Sequence, residues 1–254
     1  MDEQLRPGRR RVALVTGAGR GLGAGIARTL AGQGYAVVVN DLPTSVGAPE
    51  VVAEIQAAGG TAALAVGNAA DAGDVQRMVG DVGEQLGSID VFVANASGPQ
   101  PVIEVADLTW PDVEAHLGLF VRSPMLITQA ILPGMRASGS GRIVLIGSDL
   151  VERAVSGWSA YAAAKAAMIG LTRTWARELG PYGITVNLVA PGWIPVERHS
   201  ESSLDERDAY LAEVPLGRLG TPADVAAVVA FLASDAASFV SGQRITVNGG
   251  HITI

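Results

Sequence analysis

Seven short runs rich in β-branched residues recur along the chain, and Ala-rich stretches long enough for helices separate most of them. The runs are residues 11–16 (RVALVT), 35–40 (YAVVVN), 61–66 (TAALAV), 89–94 (IDVFVA), 141–147 (GRIVLIG), 184–189 (ITVNLV) and 244–247 (RITV). Strands that alternate with helices run parallel, because each helix carries the chain back to the edge where the next strand starts. VALV and VVV are apolar at every position, so both of their faces need covering. The expected fold class is therefore α/β: a doubly wound, seven-stranded parallel sheet with helices on both faces. The clearest helical stretches are residues 71–86, 109–137, 158–180 and 221–235. Pro111 and Pro222 fall near two helix starts, where a missing N–H does no harm. No repeat or linker divides the sequence, so residues 1–254 are read as a single domain.

Composition removes several classes of function. With 18 basic and 25 acidic residues and a formal net charge of −7, the chain has no basic excess to neutralise the phosphates of a nucleic acid. It contains no cysteine, which excludes disulfides and thiolate metal sites. His116, His199 and His251 are its only histidines and stand far apart, so no metal site is expected. Residues 1–11 are charged and polar, without the apolar run of a secretory signal. No stretch reaches about 18 uninterrupted apolar residues. The expected partner is a small molecule, neither nucleic acid nor membrane, and the expected location is the cytoplasm.

Residues 16–23 read TGAGRGLG, directly after the first strand and at the start of a helix. Gly17, Gly21 and Gly23 lack a Cβ, so the backbone can turn tightly and come close to a pyrophosphate. The helix that starts there aims free N–H groups and a partial positive charge at the same anion. Glycines that only let a helix pack on a strand would look similar. The position in the first strand–turn–helix unit favours phosphate binding, although the spacing is T-G-x-x-x-G-x-G rather than G-x-G-x-x-G.

Residues 158–167 read WSAYAAAKAA. Tyr161 and Lys165 are four apart and share one face of a helix. A tyrosine hydroxyl titrates near about pH 10 in water, and a neighbouring ammonium favours its phenolate. Such a pair can give or take a proton near neutral pH as hydride moves at a carbonyl carbon.

The turn spacing, the Tyr161–Lys165 pair and Ser148, thirteen residues before the tyrosine, together resemble the classical short-chain dehydrogenase/reductase family, and especially its 3-oxoacyl reductase-like members. The resemblance spans the whole chain. It implies a Rossmann fold, a nicotinamide cofactor, and hydride transfer between that cofactor and a ketone or secondary alcohol. It further implies a catalytic group of Ser148, Tyr161 and Lys165, with Tyr161 as general acid or base and Ser148 donating to the substrate oxygen. Cofactor contacts are implied for Gly17, Arg20, Gly21, Leu22 and Gly23 in the first turn, Asp41 after the second strand, Asn68 and Ala69 after the third, and Asn95 and Ala96 after the fourth. Pro191, Gly192 and Ile194 follow the sixth strand in the same way, and Tyr161 and Lys165 reach the cofactor as well. A substrate lid is expected near residues 193–215, with His199 inside it. A homotetramer is expected, because residues 158–180 are apolar beyond one stripe and relatives pair this helix across an interface.

The chain also departs from the family pattern. Residues 94–97 read ANAS where relatives usually have Asn-Asn-Ala-Gly, and Val196 stands where a threonine is common. A fourth catalytic position, usually Asn, falls on Phe120 when counted back from Leu132 and nearer Leu117 when counted forward from Trp110. No residue between Trp110 and Pro133 is Asn. That loss leaves open a non-redox or cofactor-sensing role. Asp41 would accept hydrogen bonds from the adenosine ribose and repel a 2′-phosphate, while Arg20 would favour that phosphate. NAD is the cofactor expected over NADP. Leu150, Val151, Trp158 and Trp193 point to a fairly apolar pocket for a medium-sized ketone or alcohol, including 3-oxoacyl, sugar-derived or cyclic substrates.

Overall fold

The computed structural model describes residues 10–197 and 203–253. Its sheet contains seven strands in the order β3-β2-β1-β4-β5-β6-β7. They are β1 (Val12–Thr16), β2 (Ala36–Asp41), β3 (Thr61–Val66), β4 (Ile89–Ala94), β5 (Gly141–Ile146), β6 (Ile184–Pro191) and β7 (Arg244–Val247), and every pairing is parallel. The helices are α1 (Gly21–Gly32), α2 (Gly47–Ala57), α3 (Ala72–Gln85), α4 (Trp110–Leu117), α5 (Ser123–Ser138), α6 (Leu150–Arg153), α7 (Ser159–Leu179), α8 (Leu204–Ala212) and α9 (Pro222–Ala233).

Alternation along the strands divides the core into two layers. Leu14, Val38, Phe92, Ile143 and Val186 face one way, into a cluster with Met78, Ile127 and Met168. Ala13, Val37, Val91, Val144 and Val189 face the other way, into a cluster with Ile26, Val51 and Val229. Every residue of β1, β5 and β6 is buried, as expected for strands covered on both sides. The starts of α3 and α9 are fixed by Asp71 and Thr221, whose side chains accept the N–H groups of Asp74 and Asp224. Because all strands point the same way, their C-terminal ends share one rim. On it lie the Gly turn, Asp41 and the loops after β3, β4, β5 and β6.

The structure corrects the sequence reading in three places. Asp41 is the last residue of β2 rather than lying after it. α2, α6 and α8 lie outside the clearest helical stretches of the sequence. The single helix expected over residues 109–137 is instead α4 and α5 joined by a π-helical turn, Gly118–Arg122. There the Ser123 N–H reaches back five residues to the Gly118 carbonyl. Pro124 has no N–H to give the Phe120 carbonyl four residues earlier, so one bond of the regular ladder is missing at this point. The whole run Trp110–Ser138 is long and apolar enough, by length and composition, to cross a membrane. In this fold it packs on β4, α3 and α7 as a core element.

Candidate active site

The Gly turn is held in shape by the strand beside it. Asn95, just past β4, donates from Nδ2 to the carbonyls of Thr16 (2.9 Å) and Gly17 (3.0 Å). The Thr16 hydroxyl in turn accepts the N–H groups of Asn95 and Ala96. Gly17 has φ +61°, and a Cβ there would stand 2.8 Å from the Ala96 Cα, so only glycine fits. Gly23 is packed against the Gly17 carbonyl and the Asn95 amide in the same way. Asn95 thus clamps the turn from beneath.

Asp41 completes the turn from the other side. Its Oδ2 accepts the Gly19 N–H at 3.0 Å and its Oδ1 the Leu42 N–H at 2.8 Å. It borders a cleft of about 740 Å³ that opens over the turn and over the start of α1. Arg20, Gly21, Val196 and Glu197 line the same cleft, and Gly21, at φ +55°, sits under Val196 and Glu197. Four carboxylates line it (Asp41, Glu50, Glu54 and Glu197) against two guanidinium groups, Arg20 and Arg28. Arg28 is already engaged with Glu54 at 2.8 Å. A dinucleotide fits these features: a Cβ-free turn, a helix N-terminus and a carboxylate beside the turn. Leu22, partly buried, packs against the core beneath the turn. Farther along the rim, the exposed Asn68 spends its Oδ1 on the Ala70 N–H, and Ala69 is buried. Pro191 ends β6, Gly192 lies against the Tyr210 hydroxyl, and Ile194 is buried in the core.

Tyr161 and Lys165 lie on the first turns of α7 and are almost wholly buried, at 8% and 5% exposure. The Lys165 ammonium donates to the Ile146 carbonyl at the end of β5, at 2.7 Å. Ser148 follows two residues later, and its hydroxyl accepts the Leu150 N–H at 3.2 Å. Tyr161 is ringed by aromatic groups: Phe120 and Trp158 at 5.5 Å, and His116 at 6.1 Å, all edge to face. Phe120, not Leu117, is the side chain that reaches the lysine. Its ring centroid lies 3.8 Å from Lys165 Nζ. The cleft over the Gly turn ends at Val196 and Glu197 and does not extend to this group.

Sequence reasoning missed the supports behind Ser148. Arg244 on β7 pairs with Glu152 on α6 and donates to the Ser148 carbonyl at 3.2 Å. Asp149 is fully buried, and burial pushes its carboxyl above the usual carboxylate range despite the Asn248 amide bonded to it. His251 stands between Asp149 (3.6 Å) and Glu213 (2.9 Å). These partners are 38 to 102 residues apart, and no local pattern announces them. In the segment expected as a lid, the Tyr210 hydroxyl on α8 accepts the Trp193 N–H at 2.9 Å. His199 lies outside the described residues.

Residues 17–251 match the family described as Enoyl-(Acyl carrier protein) reductase. The chain is similar to the 3-oxoacyl-(acyl-carrier-protein) reductase of Staphylococcus epidermidis, with 40% identity over 94% of this chain and 97% of that one. The corresponding enzyme of Salmonella typhimurium is 36% identical over 94% and 96%. Among solved structures, a putative gluconate dehydrogenase from Agrobacterium tumefaciens superposes with a TM-score of 0.92 at 29% identity, covering 97% of each chain. A gluconate 5-dehydrogenase from Burkholderia cenocepacia, in complex with NADP and tartrate, superposes with a TM-score of 0.89 at 32% identity over 96% and 95%. None of these supports the non-redox or cofactor-sensing alternative. A glycine turn built for a dinucleotide, a buried tyrosine–lysine pair and relatives matched from end to end make this chain a member of the short-chain dehydrogenase/reductase family and a nicotinamide-dependent oxidoreductase.

Proposed function

We propose that Tyr161, Lys165 and Ser148 carry the reaction of a ketone or secondary-alcohol oxidoreductase that prefers NAD. The observation that carries this reading is the buried ammonium of Lys165, anchored on the Ile146 carbonyl and one helical turn from the Tyr161 ring. When bound, the nicotinamide gives or takes the hydride. Tyr161 then supplies or removes the proton at the substrate oxygen, and Lys165 favours its phenolate. Ser148 donates a hydrogen bond to that oxygen as charge develops there. Gly17, Arg20, Gly21, Leu22 and Gly23 would hold the pyrophosphate side of the cofactor. Asp41, Asn68, Ala69, Asn95 and Ala96 would hold its adenosine half, and Pro191, Gly192 and Ile194 its nicotinamide half.

Two features support NAD over NADP. From the end of β2 beside the Gly turn, Asp41 would accept a ribose 2′-hydroxyl and repel a 2′-phosphate, and the cleft around it holds more carboxylates than guanidinium groups. NADP in the Burkholderia relative is the argument on the other side. Residues 193–215 are proposed as a substrate lid, with Tyr210 tying α8 to Trp193. Beside Tyr161, the Trp158 ring favours a substrate with an apolar group next to its carbonyl. The test is turnover followed through the near-ultraviolet band of reduced nicotinamide, with both cofactors against 3-oxoacyl thioesters, keto-sugar acids and cyclic ketones. A fastest substrate among the apolar ketones with NADH is the expected result. No turnover across the panel, or a preference for NADPH, would overturn the corresponding part.

A further inference from the structure

Phe120 sits in the middle of the π turn and is 2% exposed. Its ring centroid is 3.8 Å from the Lys165 ammonium, close to the approach expected of a cation seated over an aromatic face. The same ring meets Tyr161 edge to face at 5.5 Å. An ammonium withdrawn from water must recover its lost solvation from fixed groups. The Ile146 carbonyl supplies one such group and the electron-rich face of Phe120 another, whereas an aliphatic side chain of equal bulk would supply only volume. The π turn sets where this ring points, because it shifts the helical phase between α4 and α5.

We propose that Phe120 is a positioning residue for the reaction: its ring face holds the Lys165 ammonium beside Tyr161, and it acts through that lysine without touching substrate. The role rests on the reading of Tyr161 and Lys165 as the proton-transfer pair. It predicts that the electron density of the ring matters as well as its size.

Lys165 is the only lysine in the sequence, so the contact can be observed directly. Lysine labelled with carbon-13 at Cε gives a single side-chain signal in the cofactor-free protein. Its attached protons are expected upfield of free lysine through the ring current of Phe120. The displacement should vanish in Phe120→Leu and persist in Phe120→Tyr. The kinetic arm replaces Phe120 with mono-, di- and trifluorophenylalanine, which keep the shape and drain the ring face stepwise. A stepwise fall in kcat/KM reaching about tenfold at the trifluoro ring is expected, with Phe120→Tyr close to native. If Phe120→Leu fails to fold, the fluorinated series still decides. An unshifted lysine signal, or a flat series in an enzyme that Tyr161→Phe silences, overturns this role alone. Turnover that survives Tyr161→Phe overturns the reading of the pair, and this role with it.

Discussion

Asp41 accepts two backbone N–H groups before any ligand arrives, and the one from Gly19 comes from the turn itself. Its carboxylate is therefore aimed, and removing it should change which cofactor is chosen rather than whether one binds. Asp41→Ala is expected to reduce the ratio of kcat/KM for NAD over NADP by about tenfold, on the scale of a charge-assisted hydrogen bond. An unchanged ratio would make the residue a clamp for the turn and nothing more. Tyr161→Phe should cut kcat by about a thousandfold, the scale of a general acid–base group, while cofactor affinity measured by fluorescence quenching stays near native. Retention of more than about a tenth of native turnover would reassign the proton donor. These residues could be read from the sequence because their spacing along one strand end or one helix face is itself the signal. Phe120 could not be assigned in the same way. A π turn lies between the two landmarks used to count toward it, and counts from either side disagreed by three residues.

At the level of elements, α9 shows how a helix start is held by charge. Arg218 first, and then the hydroxyl and N–H of Thr221, hold the Asp224 carboxyl far below the usual carboxylate range. Because the folded state favours the ionised form, the stabilisation is complete above the unfolded carboxylate range near about pH 4 and fades as pH falls below it. Asp224→Asn is therefore expected to cost about 1 kcal/mol at neutral pH, and progressively less in acid. Urea denaturation at pH 7 and at pH 3 would check it, and equal losses at both would show that packing, not charge, holds the cap. The alternation of strand and helix was legible because it repeats over the whole chain. α2 carries its own signal in the spacing of Ala48, Val51 and Ile55, which the glycines flanking it weaken. α6, at four residues, is too short for periodicity to register. Pro124 was the visible clue to the π turn, since an interior proline always removes one carbonyl's partner.

For the molecule as a whole, the unanswered surface is the outer side of α7. Ala163, Ala166 and Gly170 are exposed there, and Phe239 is completely exposed elsewhere on the molecule. Small residues along one exposed helix face let a second copy approach closely, and a homotetramer is the assembly expected. Light scattering at micromolar concentration should give four times 26.0 kDa, and a stable mass of 26.0 kDa would defeat it. The choice of method matters. Every basic side chain except Lys165 and the histidines is an arginine, and Lys165 is sealed in the interior. Reagents that acylate primary amines therefore meet an outer surface with no lysine to attack. Amine-directed cross-linkers would leave the subunits unjoined whatever their number, and a resin that couples through amines could take hold only at the terminal amine.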